Sequence, residues 1–390
     1  MLGDNKMKST LDFFGGTTKK RFKSTGFFRI EKEGDKQWLV DPDGNAFISI
    51  GLNHLDDSNL KYHYNLDIWK ERYSANKEKW IREGLVKDMK DWGFNTIGWT
   101  QEYISGDWGK ALDWGVNINL GHSTPWSYRD YMTANMPYVL QLRIAEIEDW
   151  NGRPNFPDVY SKEFDVYVEW LCRSICADHA DSKNLIGYFF VDIASWQDHA
   201  SGRDFPQLEG LSKEERDVKV YDIASKYYEV IAKHIRSYDK NHLILGDRYN
   251  GNKVVPEPVL KAMKDYVDVF SVQYFPSNNE AGYKQMHEDL KKWHEITGKP
   301  VLIADIGNSC KTEMNPDRVY DLADQAARAK DYIDSLTPLL DEPWFIGWHW
   351  CAYVENTARG WGCKTPYDEP YEDFVDPITE FNKDVYSNIK

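Results

Sequence analysis

Short, nearly continuous apolar runs recur along the chain, mostly separated by stretches with a helical period. Eight of them stand out: 46–52, 95–99, 116–120, 185–191, 243–246, 267–272, 301–304 and 344–348. Runs that stay apolar at successive positions read as strands buried on both faces, the habit of parallel sheets. Between them, Trp80, Ile81, Leu85, Met89 and Trp92 recur near a 3.6-residue period and predict a helix over about 76–92. Further helices are expected over about 161–180, 215–238, 256–264, 279–297 and 316–335. An α/β chain that repeats strand and helix eight times, with right-handed crossovers, closes into a (β/α)8 TIM barrel.

Ahead of the first run the pattern changes. Residues 26–41 alternate around Glu33-Gly34-Asp35 and predict an N-terminal β-hairpin over about 27–41 that caps the barrel's N-terminal end. Asp41-Pro-Asp-Gly-Asn45 is a turn signal. Residues 1–25 are polar and read as a loosely ordered leader, leaving 26–390 as a single barrel domain. The longest irregular stretches, about 122–160 and 196–215, follow the third and fourth runs, where long loops shape a substrate groove.

Barrel chemistry sits where the strands end. The fourth and seventh runs each end in a lone carboxylate, Asp192 and Asp305, which suit acid/base or nucleophilic work. The other ends supply Asn53 and His54, then Glu102, then His122 and Trp126. Trp196 follows Asp192; later ends give Asp247 with Arg248, Gln273 with Tyr274, and His349, Trp350 and Glu355. Taken singly, each reads as a helix cap or a loop hydrogen-bonder. Capping does not explain why nearly every strand delivers one.

Composition sharpens this reading. The chain holds 16 Trp, 24 Tyr and 17 Phe, and Trp99, Trp126, Trp196, Trp348 and Trp350 all stand beside strand ends. Aromatic faces pack on the C–H faces of pyranose rings, so a sugar groove is expected. Its predicted lining is Trp126, Trp196 and Trp350 with Asn53, His54, Asp247, Arg248, Gln273 and Tyr274. Arg248 would keep Asp247 ionised for gripping hydroxyls. His54, His122 and His349 would bond a carboxylate or a sugar hydroxyl, with Glu102 and Glu355 as reserve acids.

The net charge of −15 and the pI of about 5.2 exclude a polyanion-binding surface, so no nucleic-acid partner is expected. No window approaches the ~20 apolar residues of a membrane span. The first residues, Met1 to Lys8, lack an apolar secretion segment, which implies a cytoplasmic protein unless a preceding signal was trimmed. Five cysteines, an odd number without metal-site spacing, read as core thiols, with Cys172 and Cys176 one helical turn apart. Without HxH or HExxH spacing, no metal or other cofactor is expected.

Particular segments resemble a known family. Thr25-Gly-Phe-Phe-Arg-Ile-Glu-Lys, Trp38-Leu-Val-Asp-Pro-Asp-Gly-Asn, Ser49-Ile-Gly-Leu-Asn-His and Gly347-Trp-His-Trp-Cys-Ala-Tyr-Val-Glu-Asn are similar to β-agarases and related clan-A glycoside hydrolases. The resemblance implies a barrel that hydrolyses glycosidic bonds in galactan-type, agarose-like polysaccharide or oligosaccharide. Relatives carry Asn-Glu after the fourth strand and Glu after the seventh; here those places read Val191-Asp-Ile-Ala-Ser and Ala304-Asp-Ile-Gly-Asn. By strand position, Asp192 is assigned as acid/base and Asp305 as nucleophile or second base. Alternatives are a carbohydrate-binding barrel without catalysis and a metal-dependent barrel hydrolase.

Overall fold

The computed structural model describes residues 10–100, 126–145, 147–148, 156–196, 205–316, 322–355 and 361–387. Eight parallel strands close into a barrel in chain order: β5 (Ser49–Leu52), β6 (Thr96–Ile97), β7 (Tyr138–Gln141), β8 (Leu185–Ala194), β9 (Leu243–Asn250), β10 (Phe270–Gln273), β11 (Val301–Ile306) and β12 (Phe345–Trp350). β12 pairs back onto β5 through Gly347–Ser49 and Trp350–Leu52. Helices cover the outside: α1 (Leu66–Tyr73), α2 (residues 77–91), α3 (Tyr128–Ala134), α4 (Lys162–His179), α5 (Lys213–Tyr238), α6 (Glu257–Met263), α7 (Glu280–Thr297), α8 (Gln325–Leu336) and α9 (Glu372–Asp384).

The third barrel strand differs from the expected one. Residues 116–120 lie outside the described residues, and the place between β6 and β8 belongs to Tyr138–Gln141. Tyr138 N–H donates to Asn184 O at 2.9 Å and Ile97 N–H to Pro137 O at 2.8 Å, which lock that register. Part of the stretch read as irregular is therefore regular. It also contains α3, started by a capping box between Ser127 and Asp130 and ended at Asn135 in the left-handed region.

The predicted hairpin exists as β2 (Arg29–Glu33) and β3 (Lys36–Val40), within a four-stranded antiparallel sheet ordered β1-β4-β3-β2. Its other strands are β1 (Thr17–Arg21), inside the stretch read as a leader, and β4 (Asn45–Phe47). Phe14, Phe28, Leu39 and Phe47 pack into one cluster with Ile186, Leu243, Val269, Leu302 and Ile346 from the barrel interior. Those barrel residues sit near strand starts, so the sheet plugs the N-terminal end, and each buried Phe or Leu is worth about 1.5–3 kcal/mol. Gln37 N–H donates to Pro343 O at 2.7 Å and its side chain to Gly298 O at 2.9 Å, tying the plug to the loops before β12 and β11.

Strand alternation decides which residues can do chemistry, because neighbours on a strand point to opposite faces. On β12, Trp348 and Trp350 face the helix layer, against Tyr332 at 6.2 and 4.6 Å between ring centres. His349 between them points inward, its Nε2 2.9 Å from Ser49 Oγ. Gly51 makes room for that ring: a Cβ there would lie 2.2 Å from the His349 imidazole.

Candidate active site

Arg248 lies at the centre of the barrel mouth. It projects inward from β9, buried, with its guanidinium 4.2 Å from the Trp99 ring centre. Nη1 lies 3.2 Å from Asp192 Oδ1 on β8, and Nη2 lies 3.0 Å from Asp305 Oδ2 on β11. The two predicted carboxylates are thus brought to one place, with a cation between them. A guanidinium in contact favours the charged form of both.

Asp305 is further fixed by Asn53, whose Nδ2 donates to Asp305 Oδ1 at 2.6 Å and to Ala304 O at 3.0 Å. Asn53 Oδ1 accepts from Trp99 N–H at 2.7 Å, so its amide is held at both ends. His54 follows in the left-handed region, φ 53°, with its N–H on Trp99 O at 2.7 Å. Its ring, an Asp305 oxygen and Cys351 Sγ all come within 4.8 Å of one another. Gln273 ends β10 in register with Asp305. His349 lies deeper in the barrel; burial, with Arg248 adding to it, lowers its pKa to about 3, so the ring is neutral.

The remaining predicted residues are elsewhere. Asp247 faces the helix layer, where Trp196 Nε1, Tyr228 OH and Tyr227 OH donate to it at 3.0, 2.8 and 3.2 Å. Burial raises its pKa to about 6 despite those donors. It holds core aromatics rather than sugar, and Arg248 is not its partner. Trp196 is consequently core, packed against Phe156, Tyr227 and Tyr228. Trp126 is also buried, its Nε1 donating to Leu55 O at 2.8 Å and its ring on Tyr131. Trp350 is buried against Tyr332 and Phe374.

Tyr274 turns outward to Asp289, at 2.7 Å, and only its backbone N–H reaches Asp305 O, at 2.9 Å. Asn308, three residues beyond Asp305, bonds Asp331 and Arg328. Glu355 is buried as an acceptor for Thr312, Asn315 and Tyr371. Glu102 and His122 lie outside the described residues.

No protein-family model matches the chain. Beta-agarase B of Vibrio sp. (strain JT0107) is 23% identical to it, over 94% of this chain and 49% of that protein. The chain therefore spans about half the length of the curated relatives it matches. The solved structure of an exo-beta-agarase superposes with a TM-score of 0.71 at 17% identity, covering 97% of this chain and 68% of that one. That of the agarase AgWH50C gives 0.71 at 20% identity, over 99% and 66%. The chain is β-agarase-like in sequence and in fold. At such identities the structural matches establish the barrel alone.

One residue near the barrel mouth was not singled out from the sequence. Glu148 is fully buried, bridged backbone to backbone with Ala194 at the end of β8. Arg143 Nε donates to Glu148 Oε1 at 3.2 Å, while Oε2 has no hydrogen-bond partner among the described residues. Burial pushes its pKa up to about 7, against the opposing pull of Arg143 and with a small addition from the Asp192 charge. The sequence signal was faint: an acid preceded by Ile144 and Ile147 in a stretch read as loop.

Proposed function

We propose that the protein is a glycoside hydrolase acting on agarose-like galactan polysaccharide or oligosaccharide. The observation that carries this reading is the convergence of Asp192 and Asp305 on Arg248 at the mouth of a β-agarase-like barrel. Asp305, held by Asn53 and Arg248, is an ionised carboxylate suited to attack or to act as second base. Asp192 shares the same cation and is poorly suited to donate a proton. Glu148, next to β8 and with a pKa near neutrality, is the group in a state to supply one. In this assignment burial keeps Glu148 protonated, with a small addition from the Asp192 charge, and Asp192 holds Arg248 in place.

Substrate cleavage requires room between the carboxylates that Arg248 now occupies, so the guanidinium must swing aside or grip the sugar. That same occupancy, with no Glu at either strand end, favours a second reading: a barrel that binds such sugars without cleaving them. Purified protein incubated with agaro-oligosaccharides and aryl galactosides, with product anomers followed by NMR, separates the two. Turnover supports the hydrolase; binding by calorimetry without turnover supports the second reading.

A further inference from the structure

We infer that His54, Asp305 and Cys351 form a binding site for a thiophilic divalent cation of the Zn2+ type at the barrel mouth. The three donors come from the ends of β5, β11 and β12, which are adjacent in the barrel, and their ligand atoms lie within 4.8 Å of one another. Ligands about 2.0–2.3 Å from a tetrahedral Zn2+ stand roughly 3.5 Å apart, so side-chain torsions of modest size close the site. All three residues are buried, which limits the entropy lost on binding.

The chemistry of the set is selective. An imidazole nitrogen, a thiolate sulfur and a carboxylate oxygen suit Zn2+, whereas Mg2+ and Ca2+ prefer oxygen alone. Charge points the same way. Asp192 and Asp305 outweigh Arg248 by one negative charge in a buried space. A dication that displaces the Cys351 thiol proton to solvent adds one net positive charge and neutralises the cluster. Support around the site is already built: Asn53 Nδ2 orients Asp305 from 2.6 Å, and the backbone of His54 is pinned to Trp99. Three protein ligands leave a fourth position for water or a sugar hydroxyl. The sequence hides the set because His54 and Cys351 are far apart and match no metal-binding spacing.

The site stands independently of the proposed hydrolase. If both hold, cation and sugar chemistry compete for Asp305, and Zn2+ inhibits turnover. The test is titration of the chelator-treated full chain with Co2+, watching for the thiolate-to-cobalt charge-transfer absorption, with Zn2+ competing. One cobalt per chain with that absorption is expected. Cys351→Ser should abolish the absorption and weaken Zn2+ binding by at least about a hundredfold. His54→Ala, a second variant should Cys351→Ser not fold, should keep the absorption while weakening affinity at least about tenfold. Absence of the absorption in the wild-type chain, or its persistence in a folded Cys351→Ser protein, overturns the site.

Discussion

Asp247 and Arg248 are neighbours in the chain yet lie on opposite faces of β9: Asp247 accepts from three aromatic donors in the helix layer, and Arg248 holds Asp192 and Asp305 across the barrel mouth. Their adjacency in sequence suggested an ion pair. The pleat separates them, giving one a structural role and the other a place at the candidate site.

Arg248→Met tests the mouth. Removing the cation leaves two buried carboxylates facing each other, a change expected to cost about 3–5 kcal/mol. Urea denaturation at neutral pH reads this directly. A loss under about 1 kcal/mol would show that Asp192 and Asp305 do not depend on Arg248.

Asp247→Asn should act on stability alone. Asn cannot accept all three donors as a carboxylate does, so a loss of about 1.5–3 kcal/mol is expected with kcat of the folded protein unchanged. A sugar-gripping Asp247 would show the reverse, a raised KM on a protein of normal stability.

Trp350→Ala separates core from groove. Burial against Tyr332 and Phe374 implies a loss of about 3–5 kcal/mol on truncation, seen as a lower denaturation midpoint. Weaker oligosaccharide binding at unchanged stability would instead return Trp350 to the groove predicted from sequence.

Glu148 should reveal itself by pH. Its native pKa of about 7 lies above the ordinary 4.5, so the folded protein retains a proton that the unfolded chain releases. Its contribution is complete below about pH 4.5 and declines as pH rises to about 7, a span of order 3 kcal/mol. Glu148→Gln should remove that slope, leaving the variant more stable than wild type at neutral pH. Parallel stability profiles of the two proteins would exclude the raised pKa. If Glu148 donates the proton, wild-type kcat/KM should also fall above about pH 7.

Much of the barrel was legible because buried parallel strands announce themselves as continuous apolar runs. Leu185–Val191 and Val301–Ala304 became β8 and β11, with Asp192 and Asp305 at or near their ends. β7 was not legible, since Tyr138–Gln141 is short and lies within a stretch read as loop. The aromatic reading overreached for a different reason. A Trp near a strand end faces either the mouth or the helices, and only the pleat and its bulges decide which. Trp99 reached the mouth, whereas Trp126, Trp196 and Trp350 are core. Glu148 and Cys351 were missed because their significance comes from partners distant in sequence, Ala194 and Asp192 for one, His54 and Asp305 for the other.

The most direct test of the proposed function is the rate of agaro-oligosaccharide cleavage by Asp305→Asn, measured beside wild type with thermal stability checked in both. Asparagine preserves shape and removes the charge that attacks or activates water. The expected result is measurable wild-type turnover that falls by about 10³-fold or more in the variant, consistent with removal of a group acting in the transition state. Wild-type activity retained by a folded Asp305→Asn protein would contradict the account.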